Sequence, residues 1–229
     1  MQKQFGFILL ILSISSFSFS SQKDKSESQP ELKHIIQGEF ESSFGKGWQF
    51  LWNLNSTPHR IFGQSIPQDF DANDPIASEY AARDFIFNHP SLFNIYEENL
   101  DLWVNEQHGN LRYLIFNQVY ENIPVWNGRI DFRYRLNGDL VMIGHDAFPN
   151  LNVNTNPGVS MDQAIFYSKI HVDFDENLND EVIGDPELYI FIENGEEPEY
   201  HLTWLTKLFV HSTDPNDELP VHRWKIFTD

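Results

Sequence analysis

The sequence contains no cysteine. Thiol chemistry, Cys-ligated zinc and disulfide staples are therefore excluded, and the fold must rest on its apolar core. Basic residues are also scarce. Fifteen Lys and Arg stand against 34 Asp and Glu, a formal charge of −19. A chain without a phosphate-neutralising basic patch is not expected to bind nucleic acid or an anionic membrane, whereas a basic partner surface stays open. Beyond the first twenty residues no run is apolar enough to cross a bilayer. Catalytic signatures are missing as well. There is no G-x-S-x-G, no phosphate-cradling Gly loop, and no His pair at i, i+4 beside a Glu.

What the chain does have is grease. Hydrophobic residues make up 41%, and Phe alone occurs 20 times. A real core is affordable, so the bulk of the 229 residues should fold. The N-terminus MQKQFGFILLILSISSFSFS carries Lys3, an apolar stretch from Phe5 to Phe19, and small Ser18 and Ser20. Residues 1–20 read as a secretory signal peptide, which places the chain outside the cytoplasm: secreted, periplasmic or at the cell surface. Export without a single Cys favours a bacterial source. Polar SQKDKSESQPEL, residues 21–32, reads as a disordered leader.

From residue 33 the pattern alternates between strand and helix signals. Short apolar runs at Ile35-Ile36, Trp48 to Leu54 and Arg60 to Phe62 predict strands. NDPIASEYAARDFIFNHP predicts a helix capped by Asp74, with Pro75 in its first turn and Pro90 ending it. Ile76, Tyr80 and Phe87, with Ala77, Ala81 and Phe85 beside them, are its expected core face. Strands follow at 100–105, 111–120, 129–136 and 140–145, with hairpin turns at Gly109-Asn110 and Asn137-Gly138, the latter a type I′ signal. Ile130, Phe132, Tyr134 and Leu136 should face one way, and Arg129, Asp131, Arg133 and Arg135 the other. The cycle then repeats. Ser160 and Gln163 form a capping box for a second helix, followed by strands at 188–192, 200–210 and 222–227. The expected class is α+β, two successive helix-on-antiparallel-sheet units. The first spans residues 33–155 and the second 156–229.

Metal sites are weighed and not expected. His145-Asp146 and His171-Val172-Asp173 do not gather three ligands. The acidic loops 69–75 and 173–184 carry calcium-loop spacing at their first positions but lack the Gly and Glu that complete it, and read as solvated turns. Six Trp (48, 52, 103, 126, 204, 224) could line a carbohydrate surface, although core packing is the commoner use.

The stretch NQVYENIPVWNGRIDFRYRLNGDL resembles the fungalysin/thermolysin propeptide domain. The resemblance lies in Gln118 and Tyr120, then Ile123-Pro124-Val125, Gly128, the alternating strand, and Asn137-Gly138. Ala81 to Phe85 and Ser91-Leu92-Phe93 fit it too. Asn122 stands where that family often has Gly, and Asn tolerates positive φ. Ser160 to His171, Leu202-Thr203-Trp204 and Arg223 to Asp229 are similar to a PepSY domain. The resemblance implies cystatin-like units and a non-catalytic pro-region of a secreted zinc metallopeptidase, serving as inhibitor and intramolecular chaperone. Its partner would be the peptidase catalytic domain, in cis or in trans. Zinc would belong only to that domain, and no cofactor to this chain. Gln118, Tyr120, Ile123, Pro124, Val125, Trp126 and Gly128 are then the candidate partner-binding residues, with Trp126 and Val125 packing on the helix as the plain alternative. A free-standing exported peptide- or glycan-binding module is the other functional reading.

Overall fold

A computed structural model describes residues 28–172, 174–193, 198–212 and 221–229. The expected signal peptide lies outside them. The chain is α+β and divides into two compact units. Of the described residues, the first holds 28–151 with 198–199, and the second holds 152–193 and 200–229.

The first unit opens with α1 (Ser28–Phe44), where strands and the end of a disordered leader were expected. Ile36, Phe40 and Phe44 recur at i, i+4, i+8, which is helical spacing, and Ile36 and Phe40 are buried. The Phe40 ring meets Phe44, Trp48 and Phe50 at 4.8 to 5.6 Å, so the helix is held by aromatic contacts rather than by propensity. Next come β1 (Gln49–Trp52), β2 (Pro58–Ile66), α2 (Pro75–Asn88) and the short α3 (Pro90–Phe93). A meander closes the unit: β3 (Leu100–His108), β4 (Leu111–Tyr120), β5 (Ile123–Arg135) and β6 (Leu140–His145). All pairings within the unit are antiparallel, and the strand order is β1-β2-β6-β5-β4-β3.

Asp74 caps α2 as expected, its carboxylate accepting from the Ile76 and Ala77 amides. The face of α2 differs from expectation. Ile76, Tyr80 and Phe87 are 80, 73 and 75% exposed; Phe85 is buried as expected, but its buried companions are Ser78, Ala82 and Ile86. That set is also a helical stripe. Small Ser78 and Ala82 let the backbone lie close to its support. The Ser78 hydroxyl stays satisfied by donating to the Asp74 and Ala72 carbonyls. Phe85 then meets Phe93 and Phe132 in a core with Phe116, Leu114, Ile130 and Ile143.

Arg112 fixes the loop that leads into α2. It is buried, and its guanidinium donates to the carbonyls of Ala72, Asn73 and Asn105. The Asn137-Gly138 turn is not type I′, because only Gly138 has positive φ. The Gly138 amide donates to the Arg135 carbonyl and the Arg135 amide to Asp139, the pattern of a type I turn followed by a glycine bulge.

The second unit contains α4 (Met161–His171), β7 (Glu181–Val182), β8 (Glu187–Glu193), β9 (Glu199–His211) from Tyr200 onward, and β10 (Val221–Thr228). The Ser160–Gln163 capping box is present in both directions. β9 is the shared strand, antiparallel to β10 over eight residue pairs and to β7 over two. Leu208, Val210 and Ile226 form a small core with Val172, Phe174, Val182 and Trp224. Among the described residues no helix is long and apolar enough to cross a membrane.

Candidate functional site

The stretch with the propeptide-like pattern forms the β4–β5 hairpin and one thick bulge. Tyr120 pairs with Ile123, leaving Glu121 and Asn122 as the turn. Both have positive φ, 50° and 65°, which is the type I′ geometry that matches strand twist. Below the turn the register slips. Val119 pairs with Pro124 and Asn117 with Arg129, so Val125 to Gly128 stand opposite Gln118 alone. Asn127 reaches φ 61° inside this bulge.

Gln118 locks the bulge. It is buried, its Nε2 donates to the Phe148 carbonyl at 2.8 Å, and its Oε1 accepts from the Phe148 amide at 2.8 Å. The side chain thus stands in for a strand, tying residue 148 to the hairpin. Gly128 is required beside it, because a Cβ there would lie 2.8 Å from Gln118 Oε1 and 2.9 Å from Val125 Cγ1. Val125 is buried too, while Tyr120, Ile123, Pro124 and Trp126 are half-buried around the turn. Gln118, Val125 and Gly128 are therefore scaffold, and the half-buried four are the ones left near the surface.

The expected polar face of β5 carries more structure than a solvated row. Asp131 is 1% exposed and sits between Arg133 Nη1 at 3.1 Å, Arg60 Nη2 at 3.6 Å and Arg129 Nε at 4.0 Å. Gly144 pairs with Asp131 on one side and Arg60 on the other. A Cβ at 144 would come within 2.6 Å of Asp131 Oδ2, so the missing side chain is the space in which the ion pair lies. Asp146 closes the network. Its Oδ1 meets His59 Nδ1 at 2.6 Å and accepts from Asn53 Nδ2 at 3.3 Å. Its Oδ2 accepts from Arg60 Nη1 at 3.0 Å and faces Arg129 Nε at 3.5 Å. Burial pulls the Asp146 carboxyl upward, but the His59 and Arg60 hydrogen bonds prevail and hold it below the ordinary carboxylate value.

Asn53, Leu54, Asn55, Asn127, Arg129, Asp146, Phe148 and Pro198 surround a cleft of about 350 Å³. The hairpin lock and the charge network thus share it: Phe148 is placed by Gln118, and Arg129 by Asp131 and Asp146. Arg60, Asn53, Asn55, Gly144 and Phe148 were not singled out in the sequence. The available signal was the Arg129-x-Asp131-x-Arg133 spacing, which puts an acid between two guanidiniums on one face of a strand.

In the acidic loops the carboxylates accept local hydrogen bonds. Asp71 Oδ1 accepts from the Asn73 amide and Nδ2, and Asp175 Oδ1 accepts from Asn177 in the same way. Asp180 accepts from the Asp175 and His211 amides. Asp173 lies outside the described residues. His145 is buried, its Nε2 donating to the Phe93 carbonyl and its Nδ1 accepting from the Ala147 amide.

No protein-family model matches the sequence, and neither does any curated protein. Among solved structures the chain is similar to the YpeB C-terminal domain of Bacillus megaterium, at 13% identity and a TM-score of 0.38. That alignment covers 84% of this chain and 96% of the other. It is also similar to an uncharacterized protein from Eubacterium rectale, at 8% identity and a TM-score of 0.38, covering 91% of this chain and 79% of that one. Values this low carry no correspondence between residues. Function must come from the chain's own geometry.

Proposed function

We propose that this chain is the non-catalytic pro-region of an exported zinc metallopeptidase of the thermolysin/fungalysin type, acting as its inhibitor and folding assistant. The observation that carries the reading is the hairpin corner. The residues of the propeptide-like pattern, scattered over eleven positions from Gln118 to Gly128, converge on a single locked turn and bulge. A folding assistant works through a rigid surface that fits the native partner better than the unfolded one. In this reading zinc and the catalytic groups belong to the peptidase, and Tyr120, Ile123, Pro124 and Trp126 form the contact. The test is titration of the purified chain against a thermolysin-type peptidase, together with the yield of that peptidase on refolding. Saturable inhibition is expected, weakened by Pro124→Gly combined with Trp126→Ala more than melting temperature is lowered. Unchanged peptidase activity and unchanged refolding yield would sink the reading.

One observation favours a second reading, a free-standing exported peptide- or glycan-binding module. The cleft combines three Asn side chains, an Arg and an aromatic wall, the lining of a small-ligand site. In that case ligand binding is expected with no effect on any metallopeptidase.

A further inference from the structure

We infer that the cleft beside the β4–β5 hairpin binds a carboxylate group of a peptide, with Arg129 as the recognising fork. Arg129 lines the cleft and is partly exposed. Both of its ion pairs run through Nε, at 3.5 Å to Asp146 and 4.0 Å to Asp131. Neither Nη1 nor Nη2 donates a hydrogen bond among the described residues. The two aspartates hold the guanidinium from one side and leave free the planar edge that takes a carboxylate bidentately. Its backbone is anchored too, the Arg129 carbonyl accepting from the Asp146 amide at 2.8 Å. The fork is thus pre-organised, which lowers the entropy lost on binding.

The neighbours supply donors as well. Asn55 uses its Oδ1 on Thr57 and keeps its Nδ2 uncommitted, and the Asn127 side chain makes no hydrogen bond among the described residues. Asp146, also in the lining, would repel an anion. His59, Asn53 and Arg60 already engage both of its oxygens. Counting Arg60, Arg129 and Arg133 against Asp131 and Asp146, the network has an excess of one positive charge within an acidic chain. Phe148 and Leu54 add apolar wall for the group next to the carboxylate. The volume, at the low end of the ~300–1,000 Å³ typical of ligand clefts, admits a chain end or one acidic side chain rather than a long segment. The site is the same whether or not the chain inhibits a peptidase.

The carboxylate could be a peptide C-terminus or an Asp/Glu side chain, and three probes separate them. N-acetyl-Ala-Phe with a free C-terminus, N-acetyl-Asp-Phe-amide and N-acetyl-Ala-Phe-amide are titrated into the whole chain at low salt. Amide and guanidinium NMR signals of Asn127 and Arg129 report binding. At least one acid is expected to bind with Kd near ~1 mM, in line with the modest efficiency of small ligands. The neutral amide should bind about tenfold more weakly. Arg129→Gln should bring the acids down to the level of the amide. Equal binding of acid and amide, binding of none of the three, or unchanged acid binding by a folded Arg129→Gln chain overturns the site. If Arg129→Gln does not fold, Asn127→Gly decides, because it leaves the ion pairs in place and glycine accepts φ 61°. It should weaken the acids about threefold and leave the amide unchanged, and equal affinity for the acids would overturn the proposal.

Discussion

At the scale of single residues, two buried polar side chains make opposite predictions. His145 has no exposed surface, and burial pushes its imidazole down to about 4, against the upward pull of the Phe93 carbonyl and Asp146. Its ordinary value is 6.5, so the unfolded chain binds the proton more readily than the folded one across that interval. Stability contributed by neutral His145 is complete above 6.5 and lost as pH falls toward 4. Lowering the pH from about 7 to about 5 should cost about 2 kcal/mol of unfolding free energy from this residue alone. Urea unfolding at both pH values checks it, and His145→Gln should flatten the difference. A His145 NMR signal that titrates near 6.5 would refute the assignment. Tyr134 differs. Its ring packs edge-on to Phe70 and stacks on Phe132, yet its hydroxyl is buried with no hydrogen-bond partner among the described residues. Removing the oxygen relieves a desolvated group without opening a cavity, so Tyr134→Phe should stabilise the chain by about 1 kcal/mol in the same assay.

At the scale of elements, the helix faces decide most. Both α2 and α4 lay small residues inward, Ser78 and Ala82 in one, Ala164 and Ser168 in the other. Both turn larger ones outward, including Tyr80, Phe87, Phe166 and Ile170. A hydrophobicity count therefore selects the wrong stripe of α2, since size and apolarity point to Ile76, Tyr80 and Phe87. Ile76→Gln combined with Tyr80→Gln should change stability by no more than about 0.5 kcal/mol, whereas Phe85→Ala should cost about 3–4 kcal/mol. A large loss from the double variant would return the core to the stripe that hydrophobicity selects. The strands were legible, because apolar and aromatic runs bounded by turn residues mark 111–120 and 140–145, and β4 and β6 follow those limits, although only β4 alternates in burial. Both caps were legible for a similar reason: Asp74 before Pro75, and Ser160 three residues before Gln163, are local chemistry that tertiary contacts do not override. α1 was missed because Ile35-Ile36 reads as a strand in isolation, and the Ile36, Phe40, Phe44 spacing shows only over three turns. The cleft was legible in half. The Gln118 to Gly128 wall follows from one contiguous pattern. The Asn53, Arg60, Gly144 and Asp146 side depends on the pairing of β2 with β6, whose partners lie more than 70 residues apart in the chain.

At the scale of the whole molecule, charge is the feature that separates the interior from the surface. The chain carries −19, yet the network around buried Asp131 has more arginine than aspartate. Acidic excess must therefore lie mostly on exposed loops and helix faces, where like charges repel one another through solvent. Such repulsion is long-ranged at low ionic strength and short-ranged at physiological salt, with screening lengths of about 30 Å at ~0.01 M and about 8 Å at ~0.15 M. The pairs made by buried Asp131 and half-buried Asp146 are screened less, because less solvent reaches them. Adding salt removes the unfavourable term and spares the favourable one. The melting temperature should consequently rise by several degrees between ~0.01 M and ~0.15 M sodium chloride. Arg60→Met, which leaves Asp131 and Asp146 short of a guanidinium, should lower the melting temperature at both salt concentrations by a similar amount. A melting temperature that falls as salt is added would mean that exposed ion pairs, not the network around Asp131, hold the charges of this chain in balance.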